Sequence, residues 1–254
     1  MTPTQRFLAS IQTEMTKRNY SQHLKYWTSV MGNVTPDQRN IEEYVSILAG
    51  KNYPQHTIIT YLHGIMHYCS IEDVPINWKR IKKFTPRRTP FRKTRGYTDN
   101  EVKSMLSASK TYDDVAVIRL LCESGVRIGA WNNMTLDGQD VIVYPDDIEE
   151  YRSFISKTTA EILTQQTLDL SMNTIRSRIA RLRRRAGCIT GQTQCNHAFR
   201  KRFNTILKMD NTVNVNIAEK LMGHKNGLDG VYFTPSRDQL FSEWCKVSGR
   251  LVPE

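Results

Sequence analysis

Two arginines and two histidines precede a tyrosine in an order suited to phosphoryl transfer. They are Arg127, His197, Arg200, His224 and Tyr232. A phosphodiester is anionic and resists attack, and a phenol, with a pKa of about 10, is mostly protonated at neutral pH. Because an arginine presents a planar fork to two phosphate oxygens, the two arginines can hold the group that the phenol attacks. The set predicts a cationic phosphate site around a tyrosine nucleophile, with no metal ion.

Two glycines predict that Arg127 and His224 each follow the end of a helix. Gly125 ends a predicted helix just before Arg127, and Gly223 ends another just before His224. Tyr232 comes eight residues after His224, across a glycine-containing turn that lets both side chains approach one site.

The ordered motifs resemble those of the tyrosine recombinases, or integrases. Any one motif is weak, and the ordered set is strong. The resemblance spans roughly residues 98–245, and the N-terminal part agrees only in size and helical character. The segments that carry it are Ser124-Gly125-Val126-Arg127-Ile128-Gly129, Asn196-His197-Ala198-Phe199-Arg200, Leu221-Met222-Gly223-His224 and Val231-Tyr232-Phe233-Thr234-Pro235.

The resemblance implies a role for each residue. The two arginines would hold the scissile phosphate, and His197 would assist proton transfer and phosphate positioning. His224 would donate a hydrogen bond to the phosphate, and Lys157 would protonate the leaving 5′ oxygen. Tyr232 would carry a transient 3′-phosphotyrosyl bond, which conserves the phosphoester energy so that resealing needs no ATP.

Three positions bear on how closely the chain follows the family. Lys157 follows a predicted strand in a turn, as the family's lysine does, and Arg152 is the alternative. The interval between His224 and Tyr232 resembles archaeal members, which predicts an archaeal host or its virus. Ala130 stands where many relatives have an acidic residue, so support for Arg127 is expected from one of three acids, Glu123, Asp137 or Asp140.

The charge of the chain favours a polyanionic partner. The 254 residues carry a net charge of +11 with a pI near 9.5, and each neutralised phosphate releases condensed counterions. No apolar run is long enough to span a bilayer, and no secretory leader is found. We therefore expect a cytoplasmic, DNA-associated protein bound to double-stranded DNA. Five scattered cysteines without metal-ligand spacing predict reduced, mostly buried thiols and no metal or other cofactor.

The first third of the sequence predicts a small helical domain. Apolar residues recur at helical spacing from Thr4 to Val30, and Thr35-Pro36 is expected to open a second helix that Gly50 closes. A third helix is predicted from about Gln55 to Cys69. Its apolar face would comprise Ile58, Leu62, Ile65 and Met66.

A basic linker is predicted between two domains. Residues 79–96 contain nine basic residues, two prolines and no acid, which is typical of an extended segment. It is either a solvated connection or a segment that follows the DNA backbone. The predicted organisation is a core-binding domain at 1–80, the linker at 81–97 and a catalytic domain at 98–254. The linker residues expected to contact DNA are Arg87, Arg88, Arg92, Lys93 and Arg95.

The catalytic domain is predicted to be mainly helical with a small antiparallel β-sheet, that is, α+β. A capping box at Thr98 opens one helix, and another runs from Tyr112 to Ser124. Short strands are predicted at Val141–Tyr144, Tyr151–Ile155 and Thr167–Leu170.

One predicted helix carries six arginines. Asn173 or Thr174 caps it, it runs to Ala186, and its inner face would comprise Ile175, Ile179, Leu182 and Ala186. Six like charges repel each other unless an anion neutralises them, so DNA docking is favoured over a solvated face. They are Arg176, Arg178, Arg181, Arg183, Arg184 and Arg185.

A last helix follows Pro235. Ser236 opens it with a capping box, and Leu240, Phe241 and Trp244 are its apolar residues. It would pack within its own chain or dock onto a neighbouring protomer.

The preferred interpretation is a site-specific recombinase in which four protomers act on two DNA sites. One alternative is a monomeric DNA-relaxing enzyme of the type IB topoisomerase kind. The other is a non-catalytic DNA-binding regulator derived from the same fold, an alternative that Ala130 supports.

Overall fold

The computed structural model describes residues 2–88, 94–189, 191–224 and 232–253. Two compact units are present, Met1–Phe91 and Arg92–Glu254. None of the helices in the described ranges is long and apolar enough to cross a bilayer.

The N-terminal unit contains five helices. They pack around buried side chains that include Trp27, Tyr44, Leu48, Ile58 and Ile65. The helices are α1 (Pro3–Ala9), α2 (Glu14–Met31), α3 (Gln38–Gly50), α4 (Gln55–Ile71) and α5 (Trp78–Phe84).

Several predicted boundaries in this unit are wrong. The segment from Thr4 to Val30 is two helices, because the hydroxyl of Thr13 caps α2 by accepting a hydrogen bond from the amide of Thr16. Asp37, not Thr35, caps α3, since its carboxylate accepts from the amide of Asn40. On α4, Ile58, Leu62 and Ile65 are buried as expected, but Met66 is 36% exposed.

The beginning of the predicted linker is helical. Ile81, in the middle of α5, is buried in the core of the N-terminal unit, which holds the helix against α3. The burial of Ile81 among the basic residues therefore favours a helix in this part of the predicted linker.

The C-terminal unit begins with two helices that were predicted closely. The side chain of Thr98 caps α6 (Asp99–Ser107) in a capping box with Glu101, and α7 (Tyr112–Ser124) ends at Gly125, whose φ of 61° is left-handed. A short 3₁₀ helix, Ile128–Asn133, follows Arg127.

The antiparallel sheet has the order β1-β2-β3, with strands β1 (Met134–Asp137), β2 (Asp140–Val143) and β3 (Tyr151–Phe154). The prediction of a strand at Thr167–Leu170 was wrong, because this region contains helix α9 (Gln165–Leu168). The strand β1 was not predicted. It pairs with β2 across a tight turn at Gly138, which has a φ of 57°.

The remaining helices complete the C-terminal unit. Ser171, rather than Asn173 or Thr174, caps the arginine-rich helix, and Ile175, Ile179 and Leu182 are buried on its inner face. The helices are α8 (Lys157–Ile162), α10 (Met172–Arg185), α11 (His197–Met209), α12 (Val215–Leu221) and α13 (Arg237–Leu251).

The last helix, α13, packs within its own chain. Ser236 caps it with the predicted capping box, and Leu240, Trp244, Val247 and Leu251 are buried against α11, α12 and β3.

Candidate functional site

The C-terminal end of α7 organises the candidate site. The last carbonyl groups of a helix lack partners within it and carry its negative dipole end. Here the carbonyls of Glu123, Ser124 and Gly125 each accept a side-chain hydrogen bond of 2.8 Å, from the Trp244 indole, the Ser153 hydroxyl and the Arg200 guanidinium respectively. Three successive peptide groups thus bind α13, β3 and α11.

Arg200 is held rigidly at the C-terminal end of α7. It is only 3% exposed, and its guanidinium donates to the carbonyl oxygens of Gly125 and Met222. Burial lowers the pKa of Arg200 from its usual value, and the nearby charge of Arg127 lowers it further. A buried cation without an ion pair among the described residues is poised to attract an anion.

Arg127 lies beside Arg200 and is exposed. In the described part of the chain, its guanidinium forms neither an ion pair nor a hydrogen bond with another side chain. The Arg200 guanidinium is fixed and the Arg127 guanidinium is open to solvent. A phosphate group bound between them would accept hydrogen bonds from both. We call Arg127, His197, Arg200 and His224 the cationic cage.

His197 is the first residue of α11, one helical turn before Arg200. Partial desolvation lowers the pKa of its imidazole, and the charges of Lys201, Arg200 and Arg127 lower it further. The sensitivity of His197 to both arginines shows that the three side chains lie close together. A neutral imidazole at neutral pH is able to accept a proton.

If His197 accepts the phenol proton, as the resemblance implies, DNA cleavage should fall on acidification with a midpoint below pH 6.5, the usual pKa of histidine. Since the folded-state pKa is depressed, His197 has no effect on stability well above pH 6.5 and destabilises the fold as acid protonates it in the unfolded chain. An NMR titration of the imidazole, assigned with His197→Gln, measures this pKa. A value above 6.5 in the free protein would contradict the expectation.

His224 is oriented by a carboxylate that the sequence analysis did not identify. Its Nδ1 lies 2.5 Å from a carboxylate oxygen of Glu219, and its amide donates to the Glu219 carbonyl. Gly223, with a φ of 61°, turns the chain back over the end of α12 and so brings the two residues together. With Nδ1 engaged, Nε2 is the ring nitrogen that remains for a phosphate. An acid in the last turn before Gly223 is the signal that would have found it.

Tyr232 is 81% exposed. The segment 225–231 that joins it to His224, including the predicted glycine turn, lies outside the described residues. Phe233 is partly buried against the cluster that contains Phe203 and Met222. The approach of Tyr232 to the cationic cage therefore stays a prediction.

Lys157 has no described contact with the cationic cage. It is the first residue of α8, after β3, rather than part of a strand turn. It lines two cavities of about 580 and 540 Å³, and neither is lined by a residue of the cage. The alternative, Arg152, forms an ion pair with Asp140, which also binds Arg237. The catalytic role of Lys157 stays a prediction.

None of the three acids expected to support Arg127 does so in the described residues. Ala130 is fully buried. Glu123 accepts from Arg119, Ser156 and Thr159, and therefore joins α7 to the start of α8. Asp140 binds Arg152 and Arg237, and Asp137 is exposed without a bond to Arg127.

The six arginines of α10 fall into two groups. Arg178 forms ion pairs of 3.3 Å with Asp113 and Asp114, and Arg183 donates to Thr193 and lies over the ring of Tyr97. These two therefore have partners within the chain, with acids as the anions beside Arg178, and their contact with DNA stays a prediction. The exposed arginines are Arg176, Arg181, Arg184 and Arg185.

The linker residues are similarly divided. Arg87 and Arg88 are exposed, while Arg92 and Lys93 lie outside the described residues. Arg95 forms an ion pair with Glu101, 2.6 Å between the nearest atoms, and so reinforces the capping box of α6. Arg95 therefore has a structural partner within the chain.

Solved structures of recombinases have the same fold as this chain. A lambda integrase tetramer bound to a Holliday junction matches with a TM-score of 0.68 and 14% identity, over 92% of this chain and 75% of that one. The Tn1549 transposon integrase (residues 82–397) in complex with circular intermediate DNA matches with a TM-score of 0.66 and 16% identity, over 97% and 99%. A lambda integrase fragment (residues 75–356) bound to DNA matches with 0.65 and 16%, over 98% and 97%.

These comparisons define the class of fold. The mainly helical chain with a small three-stranded antiparallel sheet matches the fold of the tyrosine recombinase catalytic domain. No family model matches the sequence, and no curated protein matches it.

Proposed function

We propose that this chain is a site-specific DNA recombinase that cuts and rejoins DNA through a tyrosine. The observation that carries the proposal is the pair of neighbouring guanidinium groups, buried Arg200 and exposed Arg127, with His197 beside them. Such a set binds an anion and stabilises added charge on it. The fold and the charge of +11 point to DNA as the source of that anion.

In the proposed reaction, the Tyr232 oxygen attacks the scissile phosphorus and the bond from phosphorus to the 5′ oxygen breaks. His197 accepts the phenol proton, while the two arginines and His224 stabilise the charge on the non-bridging oxygens. The leaving 5′ oxygen takes up a proton, for which we keep Lys157 as the proposed donor. Attack by a 5′ hydroxyl of another strand reverses these steps and reseals the DNA.

The assembly and origin of the protein are part of the same proposal. We propose that four copies act on two DNA sites, and that the protein comes from an archaeon or its virus. Mass measurement of the protein–DNA complex tests the first statement.

A non-catalytic DNA-binding regulator is the competing function. The absence of an ion pair between Arg127 and a carboxylate in the described residues favours it, since Glu123 and Asp140 bind other partners. The two functions differ in whether a covalent bond to DNA forms.

A nicked DNA substrate, from which the cleaved fragment diffuses away, distinguishes them. The recombinase should accumulate a denaturation-resistant adduct, and mass spectrometry of its peptides should place the nucleotide on Tyr232. If the protein binds the DNA site without forming an adduct, the regulator is the better description. Attachment to another residue would contradict the role of Tyr232.

The two groups of arginines on α10 predict different responses to salt. Changing the four exposed arginines to glutamine should flatten the dependence of log affinity on log salt concentration, by about 0.9 for each phosphate that the helix no longer neutralises. Arg178→Gln is the matched control, since that side chain already binds Asp113 and Asp114. Its slope should equal that of the wild type. Binding titrations at several salt concentrations measure both slopes, and an unchanged slope in the fourfold variant would exclude α10 from the interface.

A further inference from the structure

Tyr151, which had no role in the sequence-based site, lies beside the cationic cage. It is the first residue of β3, and its ring packs against the backbone of Gly223, between Met222 and His224. A Cβ atom at position 223 would lie 2.6 Å from Cγ of the Tyr151 ring. The segment that binds Arg200 and carries His224 is therefore packed directly on this tyrosine.

The hydroxyl of Tyr151 is buried, its oxygen faces the Arg200 guanidinium, and the described residues offer no acceptor for its proton. It lies close enough to Arg200 and Arg127 for both charges to act on it. Burial raises the pKa of Tyr151, and the two arginines oppose this only in part, so the hydroxyl keeps its proton at neutral pH.

The chemistry of the neighbours limits what this hydroxyl can do. An arginine only donates hydrogen bonds, so neither guanidinium can accept the Tyr151 proton. A buried donor without an acceptor is destabilising, whereas a hydrogen bond to a charged acceptor is among the stronger ones. An anion that enters between the two arginines would supply this acceptor.

We propose that the Tyr151 hydroxyl donates a hydrogen bond to a non-bridging oxygen of the phosphate held by Arg127 and Arg200. This inference deepens the proposed function by adding a neutral hydrogen-bond donor to the cationic cage. It rests on the proposed function, which identifies the phosphate as part of DNA. The bond adds specificity for a group with a free anionic oxygen. It also fixes the phosphate relative to β3.

The first test measures binding of inorganic phosphate at constant ionic strength, by calorimetric titration. Tyr151→Phe keeps the ring that packs on Gly223 and removes only the oxygen, and it should weaken phosphate binding by about 10- to 100-fold. Tyr44→Phe is the matched control, because the Tyr44 hydroxyl in the N-terminal unit is also buried without a described partner. It should bind phosphate as the wild type does.

The second test uses DNA in which one non-bridging oxygen of the scissile phosphate is replaced by a methyl group. On ordinary DNA, Tyr151→Phe should slow adduct formation by about 10- to 100-fold relative to wild type. On the methylphosphonate isomer that lacks the contacted oxygen, the two proteins should react at the same rate. Tyr44→Phe should match wild type on every substrate.

The outcomes separate the two proposals. If Tyr151→Phe loses phosphate affinity but the wild type forms no adduct, the inference stands and the recombinase function fails. If the wild type forms an adduct and Tyr151→Phe matches it in both tests, the inference is overturned and the function stands. Failure of the wild type to bind phosphate also overturns the inference.

Discussion

Substituting Arg200 by lysine should slow DNA cleavage by about 100- to 1000-fold while changing DNA affinity far less. A lysine keeps the positive charge but loses the planar fork, so it cannot bind the Gly125 and Met222 carbonyls and a phosphate at the same time. The transition state carries more charge on the phosphate than the bound substrate does. The substitution should therefore destabilise the transition state more than the bound substrate. Single-turnover cleavage and equilibrium binding measure the two effects.

Arg202 supplies a matched control for this substitution. It lies two residues further along α11, is 6% exposed, donates to the carbonyls of Tyr97, Arg250 and Leu251, and forms an ion pair of 2.6 Å with Asp99. Arg202→Lys should therefore destabilise the fold about as much as Arg200→Lys, yet leave the cleavage rate of the folded fraction unchanged. Equal losses of cleavage in both variants would show that Arg200 acts only through stability.

Replacing Gly125 by alanine should destabilise the C-terminal unit by about 2–5 kcal/mol. The residue has a φ of 61°, and an added Cβ would lie 2.6 Å from Cγ of the buried Phe203 ring. Relief of this overlap must move either Phe203 or the carbonyl that binds Arg200, so cleavage should fall as well. Urea unfolding measures the change in stability.

Gly138→Ala separates backbone strain from overlap with Phe203 as the cause of the lost stability. Gly138 has a similar φ of 57°, but an added Cβ would meet nothing within 4 Å. Its substitution should cost only the backbone strain, about 1–2 kcal/mol. If both variants lose the same stability, overlap with Phe203 is not the cause.

Local signals predicted much of the fold. The capping boxes at Thr98 and Ser236 and the left-handed turn at Gly125 depend on neighbouring residues, so the sequence predicts them correctly. Strand β1 depends on pairing with β2, and helix α9 contains the β-branched Thr167, which suits a strand, so its structure depends on packing. Those elements were missed or assigned wrongly because tertiary contacts decide them.

Long-range contacts also explain which parts of the site were missed. The sequence placed Arg127 and His224 just after helix ends and His197 one turn before Arg200, and the structure has them there, whereas their shared role stays a prediction. The ion pairs of Arg178 join residues more than 60 positions apart, and Tyr151 reaches the cage from a strand. Their roles depend on how the elements pack.

The hydrogen bonds at the end of α7 connect the final helix to Arg200. Trp244 and Arg200 bind carbonyls only two peptide units apart, those of Glu123 and Gly125. Displacing α13 would leave the Glu123 carbonyl without its donor and loosen the backbone that positions the Arg200 guanidinium. A neighbouring molecule that competes for this helix would thereby change the position of Arg200.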